Sequence, residues 1–191
     1  MGMDVILCSN LPSNVSTNAS SFNRKETSHD LSRTFCNLLC RKDAVGGEIP
    51  ELDQLGALTH LEIEQLYDME LLVSDQLIDM EEFSEYHSET AIKQAKIDAA
   101  QEQAKIAHNI PSVLELLTDL LNVLPSMEPL AHHFAPTNRD TLDRATYFAD
   151  FTKDVGKGYI GNNFGQDLRN FQHYLLYAQT NGATSVCFSF G

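Results

Sequence analysis

Basic residues are scarce in this chain of 191: 13 Lys and Arg stand against 27 Asp and Glu, for a net charge of −14. Nucleic-acid binding depends on cationic side chains that neutralise phosphates, and that class is excluded. Docking to an anionic membrane surface is excluded for the same reason. The field suits a basic protein partner, although an acidic surface also serves solubility alone. Long apolar runs are lacking too. A bilayer span needs roughly 20 apolar residues, and the best stretch, Val113 to Leu124, is interrupted by Glu115 and Asp119. It reads as a core helix, with no membrane span.

The four cysteines, Cys8, Cys36, Cys40 and Cys187, contain no C-x-x-C pair and outline no small disulfide framework. Cys36 and Cys40 share one face of a helix, where two small apolar side chains are the simplest reading. Reduced thiols in a cytoplasmic setting are the default.

Catalytic and cofactor signatures are also missing. The stretch GKGYIGNNFG holds a literal G-x-G-x-x-G at Gly156, Gly158 and Gly161. A dinucleotide site needs a buried strand before those glycines and a βαβ unit around them. Here Tyr147 to Val155 has helical spacing, and only 30 residues follow Gly161. Lys157 is followed by Gly158, which rules out a phosphate-binding Walker loop. The glycines are read as the end of one helix and a turn back, and no cofactor is expected. No metal site is expected either. The adjacent His132 and His133 diverge, and Glu81, Glu82 and Glu85 beside His87 read as a solvated acidic face. There is no G-x-S-x-G nucleophile.

Three regions are present. Residues 1–47 form a polar leader: between Ser9 and Thr34, 14 of 26 residues are Ser, Thr or Asn. Such a segment has little apolar area to offset ordering entropy, so flexibility is expected, with Asp4 to Cys8 as a candidate short strand. Val5-Ile6-Leu7 is far too short for the apolar core of a secretory signal. The compartment is therefore read as cytoplasmic, or exported without a classical signal peptide.

Residues 48–108 are expected to form an acidic helical hairpin or a coiled coil. From Glu48 through Glu89 there are 13 acidic residues and no Lys or Arg. Leu55, Leu58, Leu61, Leu66, Met69, Val73, Leu77, Met80 and Phe83 recur mostly at three- and four-residue spacings. One straight helix from Leu58 to His108 would run about 75 Å, so a break is expected near Ser84 to Thr90. After it, Ile92, Ala95, Ala99 and Ile106 make a narrow seam.

Residues 109–191 are read as a small bundle, with helices near 112–124, 139–155 and 164–180. Pro111 and Pro125 bracket the first, and Asn181-Gly182 caps the last. Leu168, Phe171, Leu175, Leu176 and Ala178 are expected inward, and the tail after Ala183 is a candidate short strand.

The fold expected is all-α: a helical bundle with an acidic hairpin or coiled coil behind a disordered leader. Like charges at helical spacings repel, and a basic partner would relieve that cost. The leading function is a non-catalytic interaction protein: an adaptor, chaperone-like factor or exported effector. Its partner surface would comprise Glu62, Asp68, Glu70, Asp75, Asp79, Glu81, Glu82 and Glu85. One alternative is an enzyme with a site around His132, His133, His173 and Tyr174. The other is a structural subunit self-associating into a homo-oligomer through the Ala91 to Ala107 seam.

Overall fold

The computed structural model describes residues 5–11, 31–44, 48–70, 88–136, 142–155 and 163–190. The chain is mostly helical. The described residues include α1 (Arg33–Ala44), α2 (Glu51–Thr59), α3 (Glu64–Tyr67), α4 (Glu89–Lys105), α5 (Ile110–Val123), α6 (Arg144–Tyr147) and α7 (Phe164–Thr180), with short strands β1 (Val5–Ser9) and β2 (Val186–Phe190).

Prolines and small polar side chains set the ends of the central helices. Pro111 occupies the first turn of α5, where its missing N–H costs nothing. At Pro125 the chain tightens into a 3-10 turn, Leu124–Met127. Apolar positions Val113, Leu116, Leu117 and Leu120 of α5 are buried, with Leu117 and Leu120 at 0% exposure. The helix with its following turn, Ile110–Met127, is long and apolar enough to cross a bilayer by length and composition only, and here α5 packs against α7.

Helix α7 spans the expected residues. The Asn163 side chain accepts the Gln166 N–H at 2.9 Å, satisfying one of the unpaired amides of the first turn. At the far end Gly182 has φ +90. Its N–H donates to the Gln179 carbonyl at 3.0 Å, and Ala183 N–H reaches Ala178 at 2.9 Å. Those two bonds are the Schellman termination. Leu168, Phe171, Leu175 and Ala178 are buried as expected, but Leu176 is 47% exposed. One residue beyond Leu175 rotates a side chain about 100° off the stripe.

Three expectations are corrected. The leader assigned to residues 1–47 contains α1, whose Phe35, Leu38 and Leu39 are buried in the core together with Leu31. Their spacing is a helical stripe, which the Ser/Thr/Asn content of the surrounding segment concealed. The leader also contains β1, where a candidate strand was read, so the all-α class becomes a mostly helical fold with two short strands. β1 pairs antiparallel with β2, Ser9 facing Val186 and Val5 facing Phe190. The ribbon persists because β2 is held on both sides. Asn10 Oδ1 accepts from Thr184 and Ser185 N–H, each at 2.9 Å. On the opposite side the Asn109 side chain donates to the Val186 carbonyl at 2.9 Å and accepts its N–H at 2.8 Å. Phe188 N–H completes that side on the Met69 carbonyl at 2.8 Å.

The third correction concerns residues 139–155, where a full helix was expected and the described part holds only α6. Asp143 caps it, accepting from Thr146 N–H at 3.2 Å, and Asp150 then adopts a left-handed φ of 55. Tyr147, Phe148 and Phe151 are all buried, whereas adjacent helical residues point about 100° apart. Side chains of α7 bind the non-helical backbone that results. Asn163 donates to the Ala149 carbonyl at 2.7 Å, Arg169 donates to Phe151 and Lys153 carbonyls, and Gln166 accepts Val155 N–H at 2.9 Å. Gly165 leaves room for the Arg169 side chain, since a Cβ there would lie 3.2 Å from Arg169 Nη1.

The core is aromatic at its centre. Phe35 of α1 lies 6.1 Å from Phe164, and Phe188 of β2 lies 5.6 Å from Phe171, between ring centroids. Around the acidic region, α2 ends at His60 with φ 59, so no continuous helix runs from Leu58 onward. α4 starts at Glu89, inside the expected break. Residues 71–87, which the acidic hairpin would require, lie outside the described residues, as does the glycine stretch 156–162.

Candidate functional site: an acidic concavity beside α2 and α3

Helix α2 begins after Pro50 with Glu51 and Asp53 in its first turn, where acids oppose the positive end of the helix dipole. The two acids have opposite fates. Glu51 turns inward and is 0% exposed. It accepts from Arg41 Nε at 2.6 Å and from Arg144 Nη2 at 2.8 Å. Arg144 also donates to the Ala135 carbonyl at 3.0 Å. This buried ionic knot ties α1, α2 and α6 together. A carboxylate between two guanidiniums is well matched, and removing it would take from both largely buried cations the counter-charge they share.

Asp53 turns outward. It helps line a concavity of about 500 Å³ with Gly56, His60, Glu62, Ile63, Glu64 and Tyr67. Gly56 lets the chain fold back closely: a Cβ there would lie 3.2 Å from Ile63 Cγ1 and 3.3 Å from the Leu61 carbonyl oxygen. The left-handed turn at His60 and the Ile63 N–H to Leu61 carbonyl bond of 2.9 Å then bring Glu62 and Glu64 beside α2. Asp53, Glu62 and Glu64 are exposed, and no Lys or Arg stands among the lining residues. Asp68 is exposed just beyond α3, and Glu70 is half-buried beside β2, bridging to Phe188. Asp75, Asp79, Glu81, Glu82 and Glu85 lie outside the described residues, so the structure brings together only part of the expected surface.

The residues of the alternative catalytic set stand on two elements. His132 and His133 are exposed on the 3-10 turn Leu130–His133, while His173 and Tyr174 belong to α7. The Tyr174 hydroxyl bonds Ser9 Oγ of β1 at 3.0 Å, and burial pushes its pKa up to about 12. Among the described residues, no three or more His, Cys, Asp or Glu gather as metal ligands; the Glu81, Glu82, Glu85 and His87 group falls outside them.

Sequence reasoning missed a second buried acid. Asp167 of α7 is 0% exposed, and it accepts from Ser32 N–H at 2.8 Å, Ser32 Oγ at 2.6 Å and the Tyr147 hydroxyl at 2.8 Å. Burial pushes its pKa up to about 6, against the pull of those three donors. Ser32 in turn caps α1, accepting Phe35 N–H at 3.1 Å. The cluster is buried and fastens the start of α1 to α6 and α7. Its only sequence signal was an acid in the first turn of α7, a position that is ordinarily exposed.

Comparison of the chain with protein-family models, curated proteins and solved structures gives no match.

Proposed function

We propose that the protein is a non-catalytic interaction protein that binds a basic protein partner through the acidic surface around α2 and α3. The single observation that supports this reading is the concavity of about 500 Å³ lined by three exposed carboxylates and no Lys or Arg. A cationic side chain entering it would gain complementary field and relieve repulsion between the acids. Glu62 and Asp68 would flank the contact, and Glu70, Asp75, Asp79, Glu81, Glu82 and Glu85 would extend it. Adaptor, chaperone-like and exported-effector roles all fit such a surface, in the cytoplasm or after export.

The test is titration of the full chain with a lysine-rich helical peptide at low and high salt. Wild type binds it, and affinity falls as salt rises. The triple reversal Asp53→Lys, Glu62→Lys and Asp68→Lys weakens binding by about tenfold or more, near 1.4 kcal/mol. The control reversal Glu89→Lys, Asp98→Lys and Glu115→Lys changes net charge equally and leaves most affinity intact. Equal losses in both variants would reduce the effect to net charge and sink the proposal.

Self-association through α4 is the second reading. It is favoured by one feature: of the 17 residues of α4 only Ala99 is buried, while Ile97 is 42% exposed. Sedimentation over a hundredfold concentration range decides it, and a constant monomer mass dismisses it.

A further inference from the structure

The register of the ribbon sets Cys8 directly opposite Cys187. Antiparallel partners alternate between hydrogen-bonded and non-bonded pairs. Asn10 N–H donates to the Ser185 carbonyl, while Val186 and Phe188 send their N–H groups to the other side of β2, to Asn109 and Met69. Cys8 and Cys187 are therefore a bonded pair, with Cα atoms about 5.5 Å apart, inside the range of roughly 4.4–6.8 Å that a disulfide spans. Their Cβ atoms, about 5.5 Å apart in such a pair, must draw together by about 1 Å for the bridge to close. Leu7 and Phe188 face the core, whereas both thiols lie half-buried on the other face of the ribbon. Both are free.

We propose that Cys8 and Cys187 form an oxidisable pair, closed into an intramolecular disulfide by a small-molecule disulfide such as oxidised glutathione. Cys8 attacks first: the Cys187 thiol donates to its sulfur and lowers the Cys8 pKa to about 7, so thiolate is present near neutrality. The same bond, with burial, pushes the Cys187 thiol up. The Cys8 thiolate attacks one glutathione sulfur, forming a mixed disulfide and releasing a glutathione thiolate. Cys187 then loses its proton to solvent and attacks the Cys8 sulfur, expelling the second glutathione. Two protein thiols are oxidised and one glutathione disulfide is reduced to two thiols. The product links positions 8 and 187, enclosing almost the whole chain in one covalent ring.

The experiment uses the full reduced chain, exposed to oxidised glutathione, alkylated and digested with trypsin without reductant. The expected product, in a species that runs as a monomer, joins the peptide of residues 1–24 to that of residues 170–191, with a mass lower by two hydrogens. Cys36 and Cys40 share the separate peptide of residues 34–41, so the assignment is unambiguous. Thermal melting of the oxidised chain shifts upward, and dithiothreitol reverses the shift. Cys8→Ser and Cys187→Ser each lose the link, and Cys40→Ser keeps it. Both peptides remaining as thiols, a glutathione adduct stable on Cys8, or links only between chains would each overturn the proposal. The mapping is made on wild type, so the outcome does not depend on a variant folding.

Discussion

Helices α4 and α7 are equally long, 17 residues each, and are held in opposite ways. Five of the residues of α4 are alanine and the others are mostly Gln, Lys and Glu, all strong helix formers. Ser88 caps its start, accepting Ala91 N–H at 3.3 Å, and Lys105 stands in its last turn. It buries one residue. Helix α7 contains one alanine, with Gly, Asn, His, Phe and Tyr in its interior, and buries ten. Its helicity comes from the core it packs into and from side chains that bind neighbouring backbone. One helix is specified locally and the other by its surroundings, so the same kind of substitution should act on different scales in the two.

The largest effect belongs to the packed helix. Phe171→Ala removes a ring that touches Phe35 and Phe188, and should cost about 4 kcal/mol in urea-unfolding stability. A loss below 1 kcal/mol would mean that α7 is not the spine of the core. Next is the ionic knot. Glu51→Ala leaves Arg41 and Arg144 facing each other without their shared carboxylate, and about 3 kcal/mol should be lost. Glu62→Ala, at an exposed acid, should stay within about 0.5 kcal/mol of wild type.

Asp167 adds a pH dependence of definite sign. Its folded pKa of about 6 lies above the ordinary value of 3.8, so between those values the folded state holds the proton more firmly than the unfolded state. Stability from this group is present below about pH 4 and is lost as pH rises through 6. The whole change is on the order of 3 kcal/mol. Asp167→Asn forfeits hydrogen bonds at every pH, but its deficit relative to wild type should be larger at pH 4 than at pH 7. A deficit that grows with pH would show the carboxylate to be stabilised as an anion.

The helix boundaries that sequence reasoning placed well are those with local causes: Pro111 in the first turn of α5, and Asn181-Gly182 after α7. The misplaced elements depend on distant partners. The backbone path of residues 147–155 is held by Asn163, Gln166 and Arg169 of α7, and no window around Phe148 contains those groups. The two strands were candidates in the sequence, but their pairing was not, since it joins residues 5–9 to residues 186–190 and the seating of β2 uses the side chain of Asn109. Composition also misled at α1, where Leu31, Phe35, Leu38 and Leu39 follow a polar tract. Charge is visible in a sequence and burial is not, so neither buried acid was given a role. Glu51 and Asp167 are acids of the core, while Asp53, Glu62 and Glu64 share the concavity. Their grouping needed the left-handed turn at His60, which nothing in the sequence around it announces.

The smallest expected effect tests the local half of the comparison most directly. Ala100 lies on an exposed position of α4, so Ala100→Gly removes no packing and acts through backbone entropy alone, about 1 kcal/mol. If α4 is specified by its own residues, that loss falls within it. Amide hydrogen exchange across residues 92–105 should quicken about fivefold, while the midpoint of global unfolding barely moves. Ser88→Ala should act similarly but only at the first turn, since it removes a single cap. Suppose instead that Ala100→Gly lowers global stability by its full cost and leaves local exchange unchanged. Then α4 would unfold only together with the core, and the buried Ala99, with Ile106 beyond the end of the helix, would couple it to the core far more tightly than its exposure implies.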